Sequence, residues 1–247
     1  MIIQNNQELE ILKTGGKKLR SVLNQLAAAV RPGVTTWEID QLAEKLILAV
    51  GGTPSFKNYG TPKFPGTICA SVNSEVVHGI PGNLVLAAGD IFTIDIGMWY
   101  QGLCTDTAVT VPVGKVSSEV KKLLKVTEES LNRGLKQVVV GKRIGDIGWA
   151  VQSYVESQGF SIVRQLTGHG VGKAVHEDPP VPNFGRPGTG PIINQNEVLA
   201  LEPIVSAGDW RIKTKDDRWT IVTQDGSLSA HFEHTVIATA QGPLIIT

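Results

Sequence analysis

The sequence predicts an α+β fold made of two copies of one unit, with helices on an antiparallel sheet and a site where the copies meet. Three observations carry this. Segments of helical periodicity and runs of β-branched residues follow one another as helix, helix, strands, twice over, which is the order of an α+β chain and not of alternating βαβ units. Gly33, Ile39 and Gly51 are answered at one constant offset by Gly141, Ile147 and Gly159, and Glu38 by Asp146. At nearly the same offset, Gly89-Asp-Ile-Phe-Thr-Ile-Asp95 reappears as Asn196-Glu-Val-Leu-Ala-Leu-Glu202, and further along each copy Asp106-Thr-Ala-Val-Thr is answered by Glu233-His-Thr-Val-Ile-Ala. Two copies are too few and too long for a solenoid, so a pseudo-twofold domain is expected. Its repeats cover approximately residues 8–113 and 118–240, inside a single domain over 1–247.

Each element has a local reason. From Glu8 to Val30, Leu9, Leu12, Leu19, Val22, Leu23, Leu26 and Val30 recur at three- and four-residue steps, an amphipathic helix that Pro32-Gly33 ends. Thr36 is the expected N-cap of a second helix running to about Val50, with Gly51-Gly52 as its stop. Two further helices are predicted from near Ser118 and near Gly145. Between them, Ile91–Ile96, Ala108–Val113, Val198–Leu201 and Thr235–Ala238 read as strands bounded by glycine and proline.

Composition narrows the chemistry. The 247 residues are 41% hydrophobic, ample for a packed core. Lys plus Arg and Asp plus Glu are both 23, so net charge favours neither nucleic acid nor an anionic membrane. The start, Met1-Ile-Ile-Gln-Asn-Asn-Gln-Glu8, has no signal-peptide pattern, and no apolar run has the length of a membrane span. Cys69 and Cys104 are the only cysteines, which fits a reducing, cytoplasmic setting better than a disulfide framework. Lys17-Lys18 and Lys121-Lys122 read as solvated helix faces.

The acids are the unusual feature. Asp95, Asp106, Glu202 and Glu233 each interrupt an apolar strand, one pair per copy. A buried carboxylate without a partner costs several kcal/mol, roughly, or stays protonated, so the four need a common positive partner such as one or two divalent cations. The spacing of Asp95 and Asp106 suits an antiparallel hairpin that folds them together. His169, in Thr167-Gly-His-Gly-Val-Gly172, adds an imidazole whose flanking glycines are expected to leave room for another group beside the ring. His78-Gly-Ile-Pro81 and His176-Glu-Asp-Pro179 place two more histidines in matching tetrapeptides, suited to hydrogen-bonding a substrate carbonyl.

In this order, Thr93-Ile-Asp95-Ile-Gly97, Thr105-Asp106-Thr-Ala, Gly168-His169-Gly-Val-Gly172, Leu201-Glu202-Pro203 and Ser229-Ala-His-Phe-Glu233-His-Thr235 resemble the ligand motifs of the type I methionine aminopeptidases. Asn73, His78-Gly-Ile-Pro81 and Asp225-Gly-Ser-Leu-Ser-Ala230 belong to the same pattern, and the likeness runs from about Glu8 to the last residues. It implies the pita-bread fold of the creatinase and aminopeptidase group. It implies removal of the initiator methionine from nascent polypeptides, by two divalent ions (cobalt, manganese, iron, zinc or nickel) held by Asp95, Asp106, His169, Glu202 and Glu233. Asp106 and Glu233 would bridge the ions. Glu202 would also act as acid and base, His176 would steady the reacting carbonyl, and His78 would contact the next amide. Tyr59, Phe64, Cys69 and Trp219 would line a narrow apolar pocket for the methionine side chain. The resemblance further implies a cytoplasmic monomer that meets the ribosome transiently.

Three positions depart from the pattern. The loop Tyr59-Gly-Thr-Pro-Lys-Phe-Pro65 is about two residues longer than is usual in the family, which bears on Tyr59 and Phe64. Val175 stands where phenylalanine is common, so that wall of the pocket is expected to be wider. His231 stands where glutamine is expected; strand alternation puts it on the side of Glu233, adding a titratable group beside the ions. The competing readings are an Xaa-Pro aminopeptidase or dipeptidase and a metal-free binding protein on the same scaffold. The stretch before Asp95 is short for the extra domain of the former, all five ligand positions are filled against the latter, and the short gap from Glu202 to Glu233 disfavours the type II enzymes.

Overall fold

A computed structural model describes residues 1–247. In chain order the elements are α1 (Asn6–Ala29), α2 (Thr36–Ala49), β1 (Thr53–Pro54), β2 (Cys69–Val72), β3 (Glu75–Val77), β4 (Ile91–Tyr100), β5 (Leu103–Pro112), α3 (Ser118–Leu135) and α4 (Ile144–Ser157). There follow β6 (Ser161–Ile162), β7 (Thr167–Gly170), β8 (Glu177–Pro182), β9 (Val198–Leu201), β10 (Ile204–Ser206), β11 (Ile212–Thr214), β12 (Ile221–Thr223), β13 (Ser229–His231), β14 (Glu233–Thr239) and β15 (Gly242–Ile245). No helix is long and apolar enough to cross a membrane.

The first helix buries the predicted stripe, Leu12, Leu19, Val22, Leu23 and Leu26, and starts at Asn5, whose side chain accepts the Glu8 amide. Gly16 lies on that face because a Cβ there would come within 2.4 Å of the Ile246 carbonyl oxygen. The cap of α2 is Thr35, one residue before the expected Thr36. Its hydroxyl accepts the Glu38 amide at 3.1 Å while the Glu38 carboxylate accepts the Thr35 amide at 2.7 Å, a reciprocal capping box. The Thr36 hydroxyl instead donates to the Gly82 carbonyl at 3.0 Å.

Both halves use the same devices. Asp146 accepts the Arg143 amide at 2.9 Å, as Glu38 does for Thr35. Isolated bridges join Thr35 to Val85 in one half and Arg143 to Ile192 in the other. Lys18 donates to the C-cap carbonyl of α2, Val50, at 2.6 Å and stands 4.3 Å over the Tyr100 ring. Lys122 donates to the C-cap carbonyl of α4, Gln158, at 2.9 Å, 5.2 Å from the Phe160 ring. These two lysines are therefore not merely solvated, as their sequence context implied: each ties the first helix of its half to the negative end of the second. Lys17 and Lys121 are exposed.

A nine-stranded antiparallel sheet runs β1-β4-β5-β14-β9-β7-β8, with β2 also on β4 and β15 on β14. Alternation sorts its two faces. Phe92, Ile94 and Ile96 of β4 pack with Leu19, Leu26, Ile39 and Ile47 of α1 and α2. Leu199, Leu201 and Val236 pack with Leu131, Leu135 and Ile147 of α3 and α4. Each fully buried side chain of this kind contributes roughly 1.5–3 kcal/mol. The helices take one face, and the residues between these apolar ones point to the other.

Candidate metal centre

Register alone gathers the predicted ligands on the helix-free face. Cys69 pairs with Asp95, Asp95 with Ala108, and Ala108 with Glu233. Leu201 pairs with His234, so Glu202, the next residue, extends that row beside Glu233. Two residues along, Asp106 bonds across to Thr235, its amide donating to the threonine hydroxyl at 2.9 Å; Thr235 pairs with Ala200, and Ala200 with His169. Small residues, Ala108 and Ala200, occupy the middle of each row and leave the space that the acids and the imidazole fill. The hairpin expected of Asp95 and Asp106 is present, with the two acids diagonal across it.

The glycines beside His169 serve a different purpose from the one expected. A Cβ on Gly168 would lie 2.4 Å from the Ala200 oxygen, and one on Gly170 2.3 Å from the Asp178 oxygen. They admit the backbones of the neighbouring strands, not a group beside the ring. His169 itself is fixed by its Nδ1, which donates to the Gly170 carbonyl at 2.8 Å. That leaves Nε2 with a free lone pair, 3.5 Å from Glu202 Oε1.

The electrostatics are those of a site short of positive charge. Asp106, His169 and Glu233 each offer a ligand atom within 4.8 Å of the others, and all three side chains are buried. Burial, with no opposing cation, lifts the Asp95 carboxyl to about 7. Burial lifts Asp106, Glu202 and Glu233 well above the carboxylate range, and the neighbouring acid charges add to it. Asp95 Oδ1 and Glu233 Oε1 are buried without a hydrogen-bond partner. Four carboxylates and an unprotonated imidazole nitrogen form a donor set that suits a first-row divalent cation, and the orphaned oxygens fit that requirement.

Around the acids lies a cavity of about 290 Å³. The five ligand candidates line it, together with His78, His176, Cys69, Tyr59, Phe64 and Trp219. The long loop brings Tyr59 to His176, phenol oxygen to Nδ1 at 2.9 Å, and Phe64 edge-on to Trp219 at 5.2 Å. The His176 and His169 rings are 4.4 Å apart. Burial lowers His78 and His169 to about 4 and lowers His176 too, so all three are neutral near pH 7. His231 faces the acids as alternation implies, 3.8 Å from Glu233 Oε2, but burial holds it at about 3, so it carries no charge change in the neutral range.

Val175 does not itself line this cavity; it is buried in the apolar cluster that also holds the lining residues Phe56, Phe64 and Cys69, behind that wall. Sequence reasoning missed Phe56, Val77, Leu166 and Ile204, which complete the apolar wall. Phe56 precedes Tyr59 by one turn of the same loop, a signal that was available; Leu166 and Ile204 look like ordinary core residues in sequence.

Residues 10–240 match the pattern of metallopeptidase family M24. The chain belongs to metallopeptidase family M24. Among M24 relatives, it is 49% identical to the methionine aminopeptidase of Clostridium perfringens, over 100% of this chain and 98% of that protein. It is 47% identical to methionine aminopeptidase 1 of Bacillus subtilis, over 100% and 99%. The solved methionine aminopeptidase of Thermotoga maritima superposes with a TM-score of 0.97 at 43% identity, over 100% and 99% of the two chains. A prolidase from Pyrococcus furiosus shares the pita-bread fold, with a TM-score of 0.81 at 18% identity over 100% of this chain and 65% of that one.

Proposed function

We propose that this chain is a methionine aminopeptidase that removes the initiator methionine from nascent polypeptides, with Asp95, Asp106, His169, Glu202 and Glu233 holding two divalent ions. The observation that carries the reading is the pair of rows that set these five donors on one sheet face beside an apolar cavity of about 290 Å³. Full-length identity of 47–49% to methionine aminopeptidases supports it over the Xaa-Pro reading, whose relatives share the fold at 18–22% identity. Filled ligand positions weigh against a metal-free binding protein. When bound, the ions lower the pKa of a water toward neutrality and polarise the scissile carbonyl.

The chain's own residues do the rest. Glu202 is partly buried, lines the cavity and has His169 Nε2 3.5 Å from one oxygen; it takes the attacking water's proton and hands it to the leaving amine. Tyr59 donates its phenolic hydrogen to His176 Nδ1, which leaves the His176 proton on Nε2 to bond the substrate carbonyl oxygen as charge grows there. His78, neutral and set edge-on to Trp219 at 6.0 Å, bonds the following amide. Phe64, Trp219 and Cys69, whose thiol burial keeps protonated, form a polarisable wall for an unbranched thioether. Duplicated capping and bridging devices support a single pseudo-twofold domain, acting as a cytoplasmic monomer with transient ribosome contact.

The test is hydrolysis of Met-Ala-Ser against Xaa-Pro peptides, with chelated protein and with each metal restored. Cleavage of Met-Ala-Ser alone, only with metal, is the expected result. Preference for Xaa-Pro, or turnover that survives chelation, would overturn the assignment.

A further inference from the structure

We propose that His231 is a sixth protein donor of the cation centre, an imidazole bound directly to an ion on the Glu202–Glu233 side, so that two imidazoles and not one serve the site. The proposal deepens the metallopeptidase reading and rests on it. His231 is 1% exposed, and neither of its ring nitrogens has a hydrogen-bond partner. A buried polar group in that state costs roughly 1–3 kcal/mol, which an apolar side chain of similar volume would avoid. Something must repay it.

Its surroundings name the partner. His231 Nε2 lies 3.7 Å from Glu202 Oε2 and 3.8 Å from Glu233 Oε2, too far for either carboxylate to be its hydrogen-bond acceptor. Two donors each about 2.1 Å from one cation, opening an angle near 120°, stand roughly 3.6 Å apart, which is the spacing seen here. His169 Nε2 keeps the same relation, 3.5 Å, to the other oxygen of Glu202. The Glu202 carboxylate is therefore flanked by an imidazole nitrogen on each side.

The backbone holds His231 in place. Its amide donates to the Thr110 hydroxyl at 2.8 Å, and that hydroxyl donates to its carbonyl at 2.8 Å. Thr93, 2.8 Å away, braces Thr110 in turn. With both main-chain groups satisfied, the ring is the only part of the residue without a partner. A second nitrogen donor moves the set toward borderline ions such as cobalt, nickel, iron and zinc and away from magnesium or manganese.

Proton NMR of the full-length protein reconstituted with cobalt(II), without substrate, tests this directly. Each coordinated imidazole contributes one strongly shifted, solvent-exchangeable N–H signal, so wild type is expected to show two and His231→Gln one. Isothermal titration should find the His231→Gln protein at least about tenfold weaker for one cobalt ion. Cobalt uptake with a single such signal in wild type sinks the His231 assignment and leaves the proposed function standing. The same holds if the variant keeps the wild-type signals and affinity. Absence of cobalt uptake altogether would sink both. The wild-type count needs no variant to fold, and circular dichroism verifies the glutamine protein.

Discussion

Two regions of this molecule bury carboxylates, and they do it in opposite ways. Asp40, 2% exposed on α2, accepts the amides of Thr67 at 2.6 Å and Ile68 at 3.0 Å. It pins the helix to the segment that enters β2 at Cys69. Burial raises its carboxyl, and the two amides pull it part of the way back. On the far face of the sheet, Asp95 and Glu233 each leave an oxygen without a partner, and the acids raise one another. A structural acid brings its partners with the fold; these acids leave a deficit that only a cation from outside can fill.

The largest effect that could break the contrast is catalytic. Glu202→Gln keeps the size of the side chain and removes its capacity to carry a proton, so kcat on Met-Ala-Ser at saturating metal should fall about 10²–10⁴-fold with the fold intact by circular dichroism. Asp40→Asn, by contrast, should leave kcat within a few-fold of wild type. Near-normal turnover of the Glu202→Gln protein would remove it from the proton path and place it with Asp40 among the structural acids.

Much of this contrast is legible in the sequence, for a physical reason. Acids at Asp95, Asp106, Glu202 and Glu233 interrupt apolar alternation, and burial without a partner is costly enough that such a pattern marks a site. Helix stripes are equally readable, because α1 needs only its own periodicity to show which face is buried. What escapes depends on chain segments remote in sequence. Gly168 and Gly170 are small because Ala200 and Asp178 approach their backbones, and nothing local announces that. Lys18 and Lys122 look solvated because their carbonyl partners, Val50 and Gln158, sit at the end of another helix. Leu166 and Ile204 look like core residues because a pocket wall and a core make the same demand on a side chain. Strand ends are also poorly marked: β5 begins at Leu103, before Asp106, where the β-branched run alone points to Ala108.

A second way to sharpen the comparison is pH, applied to chelated protein. Asp95 titrates near 3.8 when unfolded and at about 7 when folded, so between those values this carboxyl binds more protons in the folded state than in the unfolded one. With ν_N above ν_U the slope of stability against pH is negative. The contribution of this carboxyl to the stability of the metal-free protein should therefore fall, on the order of 1 kcal/mol per pH unit, as pH rises from 4 toward 7. The buried histidines His78, His169, His231 and His234, held at about 4, 4, 3 and 4, contribute in the opposite sense over the same window. Asp225, held at about 2 by Ser227 and backbone amides, acts below this window. Metal-loaded protein should lack the decline, so the stability gap on chelation widens with pH. Urea unfolding of loaded and chelated protein at pH 4.5 and 7 measures that gap, which cancels the opposing histidines that bind no ion, and a gap that narrows as pH rises would contradict the deficit.

The finest test sets one amide substitution in each region, again without metal and near pH 8. Asp40→Asn keeps Oδ1 for both amides but surrenders the charge that strengthens those bonds, and puts a donor where Oδ2 accepts from Gln41 Nε2, so it should cost roughly 1–3 kcal/mol. Asp106→Asn keeps an oxygen for the Thr107 amide, 2.9 Å away, and removes a buried charge that Asp95 and Glu233 oppose. It should leave the metal-free protein as stable as wild type or more so, by about 1 kcal/mol. Urea midpoints at unchanged m-values would read both. Equal destabilisation by the two substitutions would mean that Asp106 is already satisfied within the protein, with no deficit at the centre of the sheet for a cation to fill.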